Sequence, residues 1–150
     1  MLPKTHIILG ALFTVVLYLI FPLIPLYGLL LVFLSSFLID FDHYLSAVKE
    51  THSLSLRKAF SYHTNQGRIA SIDKKRGIRK KGDFHIFHTL EFILLVLILS
   101  FIWNPFIYIF TGMIFHSILD IIYLINNDLI YRREFFLSSY LKNKSRNKEI

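Results

Sequence analysis

Residues 7–43 read IILGALFTVVLYLIFPLIPLYGLLLVFLSSFLIDFDH, and this stretch decides the fold. From Ile7 to Ile39 there are 33 residues without Asp, Glu, Lys, Arg or His. At ~1.5 Å per residue one helix of that length would run to roughly 50 Å, well past a ~30 Å hydrocarbon core. Pro22 and Pro25 stand in its middle, where each removes a helical hydrogen bond and clashes with the preceding turn. The tract therefore predicts a tight hairpin, with spans near 6–22 and 25–43. A secretory signal peptide fits poorly, because the apolar part is too long and the prolines lead straight into a second apolar run.

A second tract runs from Phe92 to Leu119 with His116 as its only Asp, Glu, Lys, Arg or His, and it breaks at Asn104-Pro105. It predicts spans near 84–103 and 105–126. The expected architecture is all-α: one integral membrane domain over 1–150 with about four transmembrane helices, a basic loop at 46–83 and a tail at 128–150. Composition agrees, since 54% of residues are hydrophobic and 15 are Phe, against ~45–50% apolar in a soluble domain. The lack of Cys excludes a disulfide framework and any thiolate metal site.

A formal charge of +7 would suggest nucleic-acid binding in a soluble chain, but the placement of the charges argues otherwise. Of the 17 Lys and Arg residues, one is Lys4, ten lie between Lys49 and Lys81, and six lie between Arg132 and Lys148. Both hairpin turns carry none. The positive-inside rule then puts the N-terminus, the middle loop and the C-terminus in the cytoplasm of a multi-pass cell-membrane protein. Topogenic charge accounts for the basic loop. Its functional reading is attraction to an anionic membrane surface, with no nucleic acid expected. Residues 52–70 mix apolar and basic side chains and read as a short interfacial helix.

Ionisable groups inside hydrocarbon are expensive, so each needs a reason. Here they are His6, Asp40, Asp42, His43, His85, His88, Glu91, His116 and Asp120. The deduced topology gives all of them one depth, ~5–15 Å below the cytoplasmic interface by the helical rise, while the outer halves of the helices carry none. His116 and Asp120 are four apart, Asp40 and His43 three apart, and His85, His88 and Glu91 follow at three, so each set shares a helix face. Asp42 points elsewhere in a regular helix. It contributes only if the chain unwinds there, or as a partner standing behind a ligand.

Imidazole and carboxylate together suit Zn²⁺, with Mn²⁺ or Fe²⁺ also compatible, and a catalytic zinc needs only three protein ligands. The candidate metal ligands are His6, Asp40, Asp42, His43, His85, His88, His116 and Asp120, enough for one divalent ion with a full set of supporting partners or for two. Glu91, on the face of His88, is the candidate general base. Plainer roles exist for each. His6 reads equally as an interfacial polar residue, the Asp40–His43 run as a solvated helix end, His85 as interfacial, and the deeper four as an ion-paired lock between the last two helices. His52 and His63 fall in the polar loop and receive no role.

At these residues a resemblance emerges. His6 with Gly10, Asp40-Phe41-Asp42-His43, His85-Ile86-Phe87-His88-Thr89, and His116 with Asp120 resemble the membrane-bound metal-dependent hydrolases, a group of small LexA-regulated-type inner-membrane proteins. The resemblance implies a metal-dependent hydrolase. A divalent ion in such a site lowers the pKa of water towards ~7, and a site at headgroup depth suits a phosphoester or ester of a lipid-like substrate. The chain lacks His-Glu-x-x-His, which disfavours a zincin, and it lacks a phosphate-binding Gly loop. A metal-ion or proton transporter would use the same side chains, although its polar path would have to cross the sealed outer halves. A structural or regulatory membrane protein is the third reading.

The topology is directly testable. A reporter fused after Ile150 or within residues 70–80 is expected in the cytoplasm, and one at Ile24 or Asn104 outside it. Accessibility mapping that puts the basic loop outside would invert the whole arrangement.

Overall fold

The computed structural model describes residues 3–146, with side chains to residue 144. It is all-helical, with no strand among the described residues. Seven α-helices follow in order: α1 (Pro3–Ile20), α2 (Leu26–Leu38), α3 (Phe41–Thr51), α4 (Leu56–Lys75), α5 (Leu90–Ser100), α6 (Pro105–Asn126) and α7 (Leu137–Arg146). Short 3₁₀ turns at Ile86–His88 and Ile130–Arg132 precede α5 and follow α6. The hairpin prolines act as expected. Pro25 sits in extended backbone immediately before α2, and Pro105 opens α6, where a missing N–H costs nothing.

Three helical stretches are long and apolar enough to cross a membrane: Pro3–Ile20, Leu26–Thr51 and Pro105–Asn126. The second runs through α2 and α3, which are nearly continuous. The sequence predicted a fourth span over 84–103, but the helix there covers only the 11 residues of α5, or ~17 Å. Residues 84–89 do not join it. His85 is extended, and the side chain of the N-cap Thr89 accepts from the Phe92 amide at 3.3 Å, which fixes the helix start just before Leu90. Within the predicted basic loop, α4 accounts for 56–75 and begins a few residues after the expected interfacial segment.

α2 packs on α6 more extensively than any other pair, with α1 against α2 and α5 against α6. Small residues permit this. A Cβ on Gly10 of α1 would fall on Ser36 Oγ of α2, and one on Gly112 of α6 would fall on Ser35 Oγ and the Val32 carbonyl. Such small-residue contacts let helix backbones approach where lipid removes the hydrophobic drive for association. The apolar core is compact: Ile39, Ile93, Val96 and Met113, flanked by Phe87, Phe92 and Phe110. Most other large apolar side chains face outward, among them Leu19, Leu23 and Phe101. A surface this apolar fits hydrocarbon and not water.

Between α2 and α3 the chain tightens. The Asp40 amide bonds to Phe37 O at 3.2 Å, and the His43 amide to Asp40 O at 3.0 Å. These are i→i−3 bonds, a turn of 3₁₀ type. It changes the helical phase, so that Asp40 and Asp42 both turn inward; Asp42 is 4% exposed. It also leaves the Ser36 carbonyl to accept from His116 Nδ1 at 2.9 Å.

Gly112→Ala tests the close approach. It is expected to force α2 and α6 apart and to cost ~1–3 kcal/mol, as overpacking does, read as a lower melting temperature in detergent. Gly67→Ala on α4 meets nothing within 4 Å and is expected to hold or slightly raise it.

Candidate metal centre

Four elements of the bundle converge at one end. α1 supplies His6, the α2–α3 turn and the start of α3 supply Asp40, Asp42 and His43, the segment before α5 supplies His85 and His88, and α6 supplies His116 and Asp120. The structure brings all eight candidate ligands together in three overlapping groups: His6, Asp40, His116 and Asp120; Asp40, His43 and His88; and Asp42, His43 and His85. Within each group the ligand atoms lie within 4.8 Å of one another. His6 and His116 are fully buried, and His88, Asp42 and Asp120 nearly so. The His6 and His116 rings stack at 3.9 Å.

The hydrogen bonds around two of the imidazoles define their tautomers. His116 Nδ1 lies 2.9 Å from the Ser36 carbonyl, which can only accept, so this nitrogen carries a proton. His88 Nδ1 lies 3.0 Å from Asp42 Oδ2 and donates to it. That carboxylate oxygen also accepts from the Phe87 amide at 2.9 Å. In the neutral rings both Nε2 atoms are then bare lone pairs, and they face each other at 3.0 Å.

Carboxylates close around them. Asp40 Oδ1 stands 3.4 Å from His116 Nε2 and 3.6 Å from His88 Nε2. Asp120 Oδ2 stands 3.6 Å and 3.7 Å from the same two atoms. Four electron-rich atoms so arranged repel one another unless positive charge lies among them. A tetrahedral ion with ~2.0–2.1 Å bonds sets its ligands ~3.3 Å apart, close to the five separations seen. The buried cluster could therefore hold a metal ion. Behind it, Asp42 on His88 and the Ser36 carbonyl on His116 form the carboxylate–histidine and carbonyl–histidine pairs that orient metal-binding imidazoles. Asp42 Oδ1 and His85 Nδ1, 3.7 Å apart, are buried with no hydrogen-bond partner among the described residues; they sit in the third group.

No protein-family model, curated protein or solved structure matches this chain. The site must be read from its own residues.

Two sequence-derived placements differ. His85, His88 and Glu91 do not share a helix face, because His85 is extended and the 3₁₀ turn Ile86–His88 does not run on into α5. Glu91, read from spacing as the candidate base, is directed instead to the start of α7. Its carboxylate accepts from the Leu137 amide at 3.0 Å, the Ser138 amide at 3.1 Å and Ser138 Oγ at 3.0 Å. Free helix N-terminal amides are strong acceptor-seeking partners for a carboxylate, and the turn at Thr89 aims Glu91 at them.

Two residues that the sequence left without a role lie beside the cluster. Arg133 donates to Asp120 Oδ2 at 2.7 Å, fixing that carboxylate. His63 of α4 donates from Nε2 to the His43 carbonyl at 2.9 Å. The only sequence signal for Arg133 was an Arg pair soon after the last apolar tract; for His63 there was none. The segment carrying Arg133 crosses under the bundle end, tied by Gly82 N to Arg132 O at 2.8 Å, Lys81 Nζ to Arg133 O at 3.2 Å and Leu90 N to Phe135 O at 2.9 Å.

Glu91→Ala is expected to loosen α7, seen as faster amide exchange at Leu137 and Ser138, without loss of any metal bound by purified protein. A parallel drop in metal content would return Glu91 to the cluster.

Proposed function

We propose that this protein is a membrane-embedded, metal-dependent hydrolase that cleaves a phosphoester or ester of an amphiphilic, lipid-like substrate at the cytoplasmic face of the cell membrane, and that it belongs with the membrane-bound metal-dependent hydrolases it resembles. The observation that carries the reading is the convergence of the His88 and His116 Nε2 atoms, 3.0 Å apart, with the carboxylates of Asp40 and Asp120 at one buried point. Two imidazoles and two carboxylates directed at a single point are the donor set that a divalent ion takes.

The donor set is mixed imidazole and carboxylate, which favours Zn²⁺ and accommodates Mn²⁺ or Fe²⁺. The overlap of the three groups through Asp40 and His43 provides for one ion or two. A divalent ion held there supplies Lewis acidity and lowers the pKa of water towards ~7. The chain's own residues do the rest. Asp42 and the Ser36 carbonyl hold the His88 and His116 rings with Nε2 inward, and Arg133 holds Asp120. With Glu91 committed to α7, Asp40, the most exposed of the three cluster carboxylates at 14%, would take the proton from water through the oxygen not turned to His88 and His116. The apolar surface of α1 and α6 keeps the substrate's tail in lipid while its headgroup meets the cluster.

Elemental analysis of the purified protein tests the foundation. One or two equivalents of a transition metal per chain are expected, falling in His88→Ala and in Asp120→Ala, since losing a ligand weakens the site and leaves buried partners uncompensated. His52→Ala, at the exposed end of α3, serves as control. Metal-free protein whose stability ignores chelator would overturn the metal centre. Bound metal with no hydrolysis of phosphatidate or of simple esters would point to a carrier.

A further inference from the structure

The cluster opens into a cavity of about 240 Å³. Its cluster side is His43, His85 and His88, and the remainder includes His63 of α4 and the adjacent arginines Arg132 and Arg133. Pockets that enclose a whole drug-sized ligand run to ~300–1,000 Å³, so this one suits a headgroup and not an entire lipid.

The two arginines are employed differently. Arg133 is bound to Asp120 at 2.7 Å. Arg132 is half-buried, yet its guanidinium makes no hydrogen bond or ion pair among the described residues. Its backbone is nevertheless held, and its guanidinium lies over Gly82. Its carbonyl accepts from the Gly82 amide at 2.8 Å, and a Cβ on Gly82 would lie 3.7 Å from both Nε and one terminal nitrogen of the guanidinium.

The two carboxylates of the cavity wall do not answer it. Asp83 accepts from the Tyr62 hydroxyl at 3.0 Å, and Glu134 pairs with Lys81 at 3.4 Å. Burial and the bond to Asp83 push the Tyr62 phenol up to about 12, so it stays a donor to Asp83 at neutral pH. A rigid fork of donors without an acceptor, beside a group of imidazoles, matches the oxygens of a phosphate.

We propose that this cavity binds a phosphate group, with Arg132 as the residue that grips it and so selects phosphate-bearing substrates over neutral esters. The proposal takes from the hydrolase reading only the statement that a phosphate held here is part of a substrate; anion binding itself stands apart from cleavage. Arg132 would hold the phosphate against the His43–His85–His88 side of the cavity, where the cluster can reach its ester oxygen.

The test uses the full chain in detergent as purified, titrated calorimetrically with inorganic phosphate, glycerol phosphate, a short-chain phosphatidic acid and, as neutral control, a short-chain diacylglycerol. Arg132→Gln is expected to weaken phosphate binding by about tenfold or more, the size of a lost charge-assisted contact. Arg132→Lys should restore part of it, and Lys144→Gln on α7 should change nothing. Gly82→Leu, which fills the cavity beneath the guanidinium, gives a second route should Arg132→Gln fail to fold, and is expected to weaken phosphate equally. Tighter binding of phosphatidic acid than of glycerol phosphate marks a lipid as the source, and equal binding marks a soluble ester; both uphold the pocket. Unchanged phosphate affinity in a folded Arg132→Gln or Gly82→Leu protein overturns it. Phosphate binding through Arg132 without cleavage of any ester removes hydrolysis and keeps the pocket, whereas cleavage indifferent to Arg132 does the reverse.

Discussion

The structure depends on one departure from regular helix, the tightened turn between Phe37 and His43. Its i→i−3 bonds release the Ser36 carbonyl, and that carbonyl fixes the His116 ring. The same turn brings Asp40 and Asp42 inward together, which no uninterrupted helix would do at a spacing of two. Asp42 then orients His88, and His88 meets His116. Each link uses a group freed or redirected by the one before it. The glycines complete the chain of dependence, since Gly10 and Gly112 let α1 and α6 press against Ser36 and Ser35 closely enough for it to operate.

Much of this could be read from residues alone, and the boundary has physical causes. Uncharged length and proline position specify helices and hairpins strongly, because a backbone in lipid has few other ways to satisfy its hydrogen bonds. The cost of buried charge likewise singled out nine side chains, of which eight converge and Glu91 does not. Periodicity misled only before α5. Residues 84–89 were read as helix from spacing, and what keeps them out of α5 is tertiary: Asp42 takes the Phe87 amide, and Thr89 caps the helix that follows. Glu91 inherits that error, since α5 begins only at Leu90 and His85 and His88 lie outside it. Arg133 and His63 were illegible for a related reason. Both lie in polar segments whose path across the bundle end is set by side-chain and backbone bonds with no local signature.

The shortness of α5 fits the same account. Eleven helical residues cannot match the 22 of α6, and the chain before α5 is instead an extended His85 and the 3₁₀ turn Ile86–His88. Irregular backbone inside a helical bundle is tolerated where it is buried in protein or lines a cavity. Here it does both, packing Phe87 into the core and presenting two imidazoles to the space beside Arg132.

The segment that crosses beneath the bundle end has a consequence for biogenesis. The cluster is gathered from residue 6 to residue 120, and the guanidinium that steadies Asp120 arrives thirteen residues later still. During synthesis His6, Asp40, Asp42 and His43 are made before their partners on the segment ahead of α5 and on α6. The cluster stays incomplete until α6 and the crossing segment tied to Gly82 and Leu90 have followed. Chain order thus completes it last.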